Sequence, residues 1–208
     1  MSVLSRIAFF QNRRDEVPNQ ELARELAASK DAAGIAEIAA NLWNKNQNIS
    51  SDCLKVLYEI GYIDPQLIAG HVGDFLKLLQ SKNNHMVWGA MIGLGTIAHL
   101  RPAETWAQID AVVAAVEHGS VITVVWGVRA LASVAASDSR WGERIFPVLL
   151  MQLKTCIPRD VPTHAESMAC AVTPGNKAEF LSVLESRRAE LTASQLTRLK
   201  KVLKGMNA

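Results

Sequence analysis

Cysteine, proline and glycine are scarce in this 208-residue chain, and each shortage excludes a class of protein. The three cysteines are odd in number and form no C-x-x-C pair, so a reducing, cytoplasmic location is expected rather than a disulfide framework. Twelve glycines and seven prolines are too few for a fibrous or low-complexity protein. Because 49% of the residues are hydrophobic, a disordered chain is excluded as well.

Long hydrophobic runs are also missing. The uncharged stretch from His85 to Leu100 is shorter than a membrane-spanning helix, and it contains two histidines and three glycines. The apolar part of the N-terminal segment is too short for a secretory signal. We therefore predict a soluble protein with no membrane partner.

An excess of charge of one sign is absent from the chain as a whole, which has 22 basic and 20 acidic residues and a formal net charge of +2. This balance argues against a strongly basic nucleic-acid binder. The segment Thr173–Ala208 nevertheless has seven basic and three acidic residues, a net charge of +4. A basic terminal helix suits an acidic protein or nucleic acid, so nucleic acid is kept as an alternative partner. The residues that would contact it are Arg198, Lys200, Lys201 and Lys204.

Sequence motifs of common enzymes are missing too. The chain contains no G-x-x-x-x-G-K-[ST] phosphate loop, no G-x-S-x-G and no H-E-x-x-H. None of the five histidines has another histidine three or four residues away, the spacing that places two metal ligands on one helix face. We therefore predict no metal, no cofactor and, on balance, no enzymatic activity.

The sequence does contain an internal repeat with a period of 37 residues. Within each copy, apolar residues recur at i, i+3, i+6, i+7 and i+10, which is one face of an α-helix. Small residues in this stripe indicate that another helix approaches closely. The clearest copies are Val87, Ala90, Gly93, Leu94 and Ile97, followed one period later by Val124, Gly127, Ala130, Leu131 and Val134.

A second stripe, spaced i, i+3, i+4, i+7, precedes the first in every copy, so each unit is predicted to be a helical hairpin in an all-α protein. The first helices are predicted at about 31–45, 65–81, 102–117 and 140–155, and the second helices at about 48–62, 85–99, 121–136 and 160–172. One further helix is predicted at 19–29, and two more near 175–189 and 192–205.

Two of the second helices resemble the second helix of HEAT or armadillo-type repeats. They are residues 87–98 (VWGAMIGLGTIA) and residues 124–135 (VVWGVRALASVA). The resemblance implies a right-handed α-solenoid whose second helices line a concave groove. It further implies one domain over residues 1–208, with an N-terminal cap helix at 19–30, four repeats at 31–172 and capping helices at 173–208.

Charge is distributed unevenly along this array. Only five residues between Asn83 and Ser137 are charged, fewer than half the number that is typical of an ordinary chain. Helices that are apolar almost all round are buried or lie at an interface, so we predict that the groove binds a protein or peptide. Burial beneath the C-terminal helices and association with a second copy of the chain are the alternatives. The predicted contact residues are Lys55, Trp88, Ile92, Val125 and Arg129.

DNA alkylation-repair glycosylases built from HEAT-like repeats provide a second functional hypothesis. Trp106 and Asp110 are similar to the aromatic and catalytic acidic residues of that family, and Arg129 or Arg144 could supply its DNA-binding arginine. However, Trp106 and Asp110 fall on a predicted first helix, which faces away from the groove. The central segment also has little charge with which to grip phosphates. Protein binding therefore remains the leading hypothesis.

Overall fold

A computed structural model describes residues 2–206, and most of them belong to helices; within this range there is no β-strand. None of the helices is both long and apolar enough to cross a bilayer. The α-helices are α1 (Val17–Ser29), α2 (Ala32–Ala40), α3 (Gln47–Ile63), α4 (Val72–Leu78), α5 (Asn84–Ile97), α6 (Pro102–Trp106), α7 (Ile109–His118), α8 (Val121–Ser137), α9 (Ser139–Thr155), α10 (Val161–Met168), α11 (Lys177–Arg187) and α12 (Ala193–Gly205).

Side-chain caps fix where the long helices begin. Asn46, Asn83 and Asp138 each accept a hydrogen bond from the backbone N–H two residues further on, at the starts of α3, α5 and α9. Ser120 caps α8, and Thr192 forms a reciprocal capping box with the third residue of α12. The predicted bounds of these five helices are confirmed to within two residues.

The single helices predicted at 65–81 and 102–117 are wrong. The first is replaced by two 3-10 turns followed by α4, and Gly70, a poor helix former, lies in the second turn. The second is broken at residues 107–108 into α6 and α7. The unit that begins near residue 65 therefore contains two 3-10 turns and two α-helices, and the unit that begins near residue 102 contains three α-helices.

The helices form a stack in which helices of successive units pack on each other. We call α1, α3, α5, α8, α10 and α12 the ladder, because each of them packs on the next in that order. The remaining long helices lie against the ladder: α2 packs on α3, α4 on α5, α7 and α9 on α8, and α11 on α9. This arrangement is the all-α repeat fold that the 37-residue period predicts.

Glycines in the ladder allow the backing helices to approach closely, as the small residues of the repeat indicate. A Cβ on Gly93 of α5 would lie 2.6 Å from the ring of Phe75 in α4. A Cβ on Gly127 of α8, one repeat later, would lie 2.2 Å from a methyl group of Val116 in α7. Both distances are shorter than any carbon–carbon packing contact, so a side chain at either position would force the helices apart.

Polar anchors attach both ends of the stack. The Asp52 carboxylate of α3 accepts from the backbone N–H of Phe9 at 2.7 Å and from the Asn19 side chain of α1 at 2.8 Å. Arg187 of α11 is buried and donates to the carbonyls of Leu153, Lys154 and Cys156, at the end of α9. A cation suits this position, where the helix dipole is negative. The division into caps and four repeats stays a prediction.

Candidate functional site

Five aromatic side chains form a continuous strip across α3, α5 and α8. The ring centroids of Tyr58 and Tyr62, one turn apart on α3, are 5.8 Å from each other. Tyr58 contacts Trp88 of α5 at 6.1 Å, and Trp88 stacks on His85 at 4.5 Å. Tyr62 contacts Trp126 of α8 at 5.4 Å. We call Tyr58, Tyr62, His85, Trp88 and Trp126 the aromatic strip.

Gly95 allows the strip to cross α5. A Cβ at this position would lie 2.8 Å from the Trp126 ring and 3.0 Å from the Trp126 carbonyl oxygen. Because Gly95 has no side chain, the indole lies directly over α5 and reaches Tyr62 on the far side of that helix. The contact between Tyr62 and Trp126 therefore joins two helices that are not adjacent in the ladder.

The strip is apolar and partly open to solvent. Tyr62 is 46% exposed and Trp88 and Trp126 are half-buried, whereas Tyr58 lies beneath them. Burial, with the negative charge of Glu59 nearby, raises the pKa of Tyr62 to about 12, so its hydroxyl stays neutral. A surface of this kind offers apolar contact area with a few hydrogen-bonding groups at its edge, the combination that is enriched at protein interfaces.

Carboxylates dominate one end of the strip. The Lys55 ammonium lies 2.7 Å from Glu16 and 2.6 Å from Glu59, and 4.7 Å from the centre of the Tyr58 ring. Burial lowers the pKa of Lys55, but the hydrogen bonds that its ammonium donates to the two carboxylates outweigh it and raise the pKa above its usual value. The side chain of Lys55 is only 10% exposed, so Lys55 is enclosed by its own partners. Arg13, Arg14, Asp15 and Asp52 line the same pocket, so this end has three basic and four acidic side chains in all.

A single cation marks the other end of the strip. Arg129 is exposed, and its guanidinium lies 5.2 Å from the centre of the Trp126 ring. Nine of the twelve arginines in residues 2–206 form an ion pair, but Arg129 has no acidic partner within this range. Val125 lies one turn earlier on α8 and is half-buried. Trp88, Val125 and Arg129 thus share one surface of the ladder.

The predicted exposure of Ile92 is wrong. Ile92 is only 5% exposed, and Thr96, one turn later on α5, is 4% exposed. α3, α4 and α8 all pack against α5, and Ile92 belongs to the buried core. Ile92 therefore offers no exposed contact of its own.

A second aromatic cluster involves helices outside the ladder. Trp106 of α6 stacks on Trp141 of α9 with centroids 5.1 Å apart and rings 15° from parallel. The guanidinium of Arg144 lies 5.4 Å from the Trp106 ring and forms an ion pair with Asp110. The structure therefore brings together Trp106, Asp110 and Arg144, but it leaves Arg129 in the strip. We call Trp106, Asp110, Trp141 and Arg144 the outer cluster.

The basic C-terminal residues are only partly free. Arg198 pairs with Glu166 at 2.5 Å and donates to Thr163 at 3.1 Å. Lys200, Lys201 and Lys204 are exposed on α12. Nucleic-acid binding at this segment stays a prediction, which now depends on the three lysines.

The described residues contain no group of three histidine, cysteine, aspartate or glutamate side chains that could hold a metal ion. Neither a protein-family model nor a curated protein matches the sequence. Solved structures do match it, and they include designed armadillo repeat proteins and engineered proteins. The fold is therefore established by comparison of structures rather than of sequences.

A designed armadillo repeat protein in complex with the peptide (KR)4 matches 90% of this chain and 86% of its own, with a TM-score of 0.70 and 13% identity. The chain has the armadillo-type repeat fold. A structure of computationally designed armadillo repeat proteins for modular peptide recognition is also similar. The match covers 91% of this chain and 94% of the designed chain, with a TM-score of 0.66 and 15% identity. A match to an engineered protein from a structural genomics consortium covers 100% of this chain and 97% of the engineered chain, with a TM-score of 0.67 and 19% identity. The three α-helices α6, α7 and α8 agree with this fold, since armadillo units have three helices.

Of the five members of the strip, only Trp88 is among the contact residues predicted from the sequence, and Tyr58, Tyr62, His85 and Trp126 were missed. One signal was available for the tyrosines. Tyr58 and Tyr62 are four residues apart, and Tyr58 lies one turn after Lys55, which the sequence predicts to contact the partner.

Proposed function

We propose that this armadillo-type chain is a protein-binding module that holds an extended peptide segment of its partner on the aromatic strip. One observation carries the proposal: five aromatic side chains on three neighbouring ladder helices touch in series and remain partly open to solvent. The designed armadillo neighbours support it, because one was solved with a peptide and others were made for peptide recognition.

The dimensions of the strip suit a short linear segment. The contacts that lead from Lys55 through Tyr58, Tyr62 and Trp126 to Arg129 cover at most about 21 Å, or roughly six residues of extended chain. Large aromatic side chains and arginine are the residues that contribute most at interface hot spots, where loss of one costs about 2 kcal/mol or more. We therefore expect Tyr62, Trp88, Trp126 and Arg129 to account for most of the affinity.

Peptide display provides the test, since the partner is unidentified. A library of random twelve-residue peptides is selected against the wild-type chain, and the enriched peptides are then measured against Trp126→Ala and against Trp106→Ala. Both variants lose a half-buried indole, but only the first belongs to the strip. We expect Trp126→Ala to weaken binding about tenfold or more and Trp106→Ala to leave it unchanged.

Two results would contradict the proposal. One is that no peptide is enriched; the other is that Trp126→Ala, still folded by circular dichroism, binds the enriched peptides as tightly as the wild type. A second copy of the chain is the competing occupant. In that case light scattering would show a mass above 22.7 kDa that Trp126→Ala returns to the monomer value.

A further inference from the structure

We infer that the segment bound on the strip carries an aspartate or glutamate side chain that pairs with Arg129, next to an apolar residue that packs on Trp126 and Tyr62. The inference rests on the proposed function and names the chemistry of the partner.

The first argument compares all four contacts between a cation and an aromatic ring in residues 2–206. Lys55 on Tyr58 is paired with Glu16 and Glu59. At two further contacts a carboxylate bonds to one member of the pair. Asp110 pairs with the cation Arg144 on Trp106. Asp74 accepts from the indole N–H of Trp43, the ring over which Lys77 lies.

Arg129 on Trp126 is the one such contact in residues 2–206 in which neither the cation nor the ring is bonded to a carboxylate. Its planar guanidinium can donate two parallel hydrogen bonds to a carboxylate while its face stays on the indole. The hydrogen-bond donors of the Arg129 guanidinium are thus left open for a carboxylate of the partner.

The second argument concerns the surroundings of Arg129. It is the only charged residue of α8, and it lies in the segment 83–137 that contains five charged residues in all. An ion pair here would be weakened little by neighbouring charges, and the apolar rings of Tyr62 and Trp126 lower the local dielectric constant. A carboxylate bound at this position therefore gains more than one bound at an ordinary surface arginine.

The third argument concerns orientation. The opposite end of the strip has four acidic and three basic side chains, a net charge of −1, whereas Arg129 is an unpaired cation, so a carboxylate is favoured at Arg129. The ladder continues beyond α8 to α10 and α12, so a bound segment can extend past Arg129. We therefore assign the carboxylate to a side chain within the segment and not to a chain terminus.

Three amidated, fluorescein-labelled octapeptides test this inference: Gly-Ser-Xaa-Leu-Xaa-Leu-Ser-Gly, with Xaa as glutamate, glutamine or lysine. Fluorescence anisotropy is measured against the wild-type chain at low and high salt. We expect the glutamate peptide to bind about tenfold more tightly than the lysine peptide, and its advantage to shrink at high salt. Arg129→Glu should reverse the order of the two peptides.

A matched control is Arg188→Glu, which makes the same change of charge at an exposed arginine that follows α11, away from the strip. It should leave the order of the peptides unchanged. Arg129→Lys should keep the preference for glutamate but reduce it, since an ammonium cannot form two parallel hydrogen bonds.

Several outcomes would overturn the inference while leaving the proposed function intact. If all three octapeptides bind equally and Trp126→Ala weakens each of them, the strip binds peptides without a carboxylate at Arg129. If only a free-acid version of the glutamine peptide binds tightly, the occupant is a chain terminus. If no octapeptide binds, the sequences enriched by display decide, and a lack of acidic residues among them refutes the inference.

Discussion

The aromatic strip and the outer cluster are built from the same residue types but have different charge. Each contains half-buried tryptophans and an arginine that lies on an indole. In the outer cluster Asp110 neutralises Arg144, and the Trp106 and Trp141 rings stack on each other. In the strip Arg129 has no acidic partner within residues 2–206. The difference teaches that an aromatic surface with its ion pairs complete serves packing, whereas one with an unmatched cation is suited to recognition.

The largest effect on stability and on peptide binding is expected from a side chain at Gly95, where the Trp126 ring lies over α5. Gly95→Ala would place a methyl group 2.8 Å from the Trp126 ring and should destabilise the fold by about 1–3 kcal/mol. It should also displace Trp126 and abolish binding of the glutamate octapeptide. Urea unfolding and anisotropy measure the two effects.

The control for this variant is Gly73→Ala. Nothing lies within 4 Å of a Cβ at Gly73, which is exposed in α4, so alanine should stabilise the helix by up to about 1 kcal/mol. Equal stability of the two variants would mean that the close contact at Gly95 is not essential.

A carboxylate introduced next to Arg129 should give it an acidic partner within the chain, as Asp110 does for Arg144. Ser133 lies one turn after Arg129 on α8, so Ser133→Glu places a carboxylate within reach of the guanidinium. We expect affinity for the glutamate octapeptide to fall about tenfold, because the peptide must displace this carboxylate. Ser133→Gln, which has the same shape and no charge, should bind nearly as well as the wild type; equal losses in both would point to steric blocking.

Acid should weaken the ladder beyond the strip. His164 of α10 is 1% exposed, and its Nδ1 has no hydrogen-bond partner. Burial, only partly opposed by Asp160, lowers the pKa of His164 below its usual 6.5. The unfolded chain therefore binds a proton more readily, and the stability is present above about pH 6.5 and lost as the pH falls toward the folded pKa. Urea unfolding at a series of pH values should show this slope, and it should be shallower in His164→Gln.

The smallest effect on stability is expected from opening the outer cluster. Asp110→Asn removes the partner of Arg144, an exposed pair whose loss should cost less than about 1 kcal/mol. The freed guanidinium on Trp106 should then offer the glutamate octapeptide a second, weaker site. Calorimetric titration would show the added binding phase, and a single phase identical to that of the wild type would mean that a free arginine on an indole is not sufficient.

The ladder could be predicted from the sequence because its determinants are local and repeated. Each of the two clearest stripes contains a glycine, Gly93 or Gly127, and both prove to be places where a backing helix approaches closely. The break between α6 and α7 could not be predicted, because Trp106 is held by Trp141, 35 residues later. Periodicity describes one helix at a time and does not contain such a contact.

The strip was predicted in part for the same reason. Trp88, Val125 and Arg129 follow from the outward face of each helix considered alone. The burial of Ile92 depends on the helices that pack against α5, and the enclosure of Lys55 depends on Glu16, which lies before the array begins. Each of these errors arises where a neighbouring helix decides the environment of a residue.

The contact between Tyr62 and Trp126 has a mechanical consequence for the stack. Repeat proteins whose helices touch only their neighbours bend easily, because small rotations at each interface add along the array. A ring pair that joins α3 and α8 over α5 restrains rotation at the α3–α5 interface and at the α5–α8 interface together. The curvature of the central part should therefore be stiffer than that of the ends, and a ligand that wedges between the two rings would have to bend the protein in order to bind.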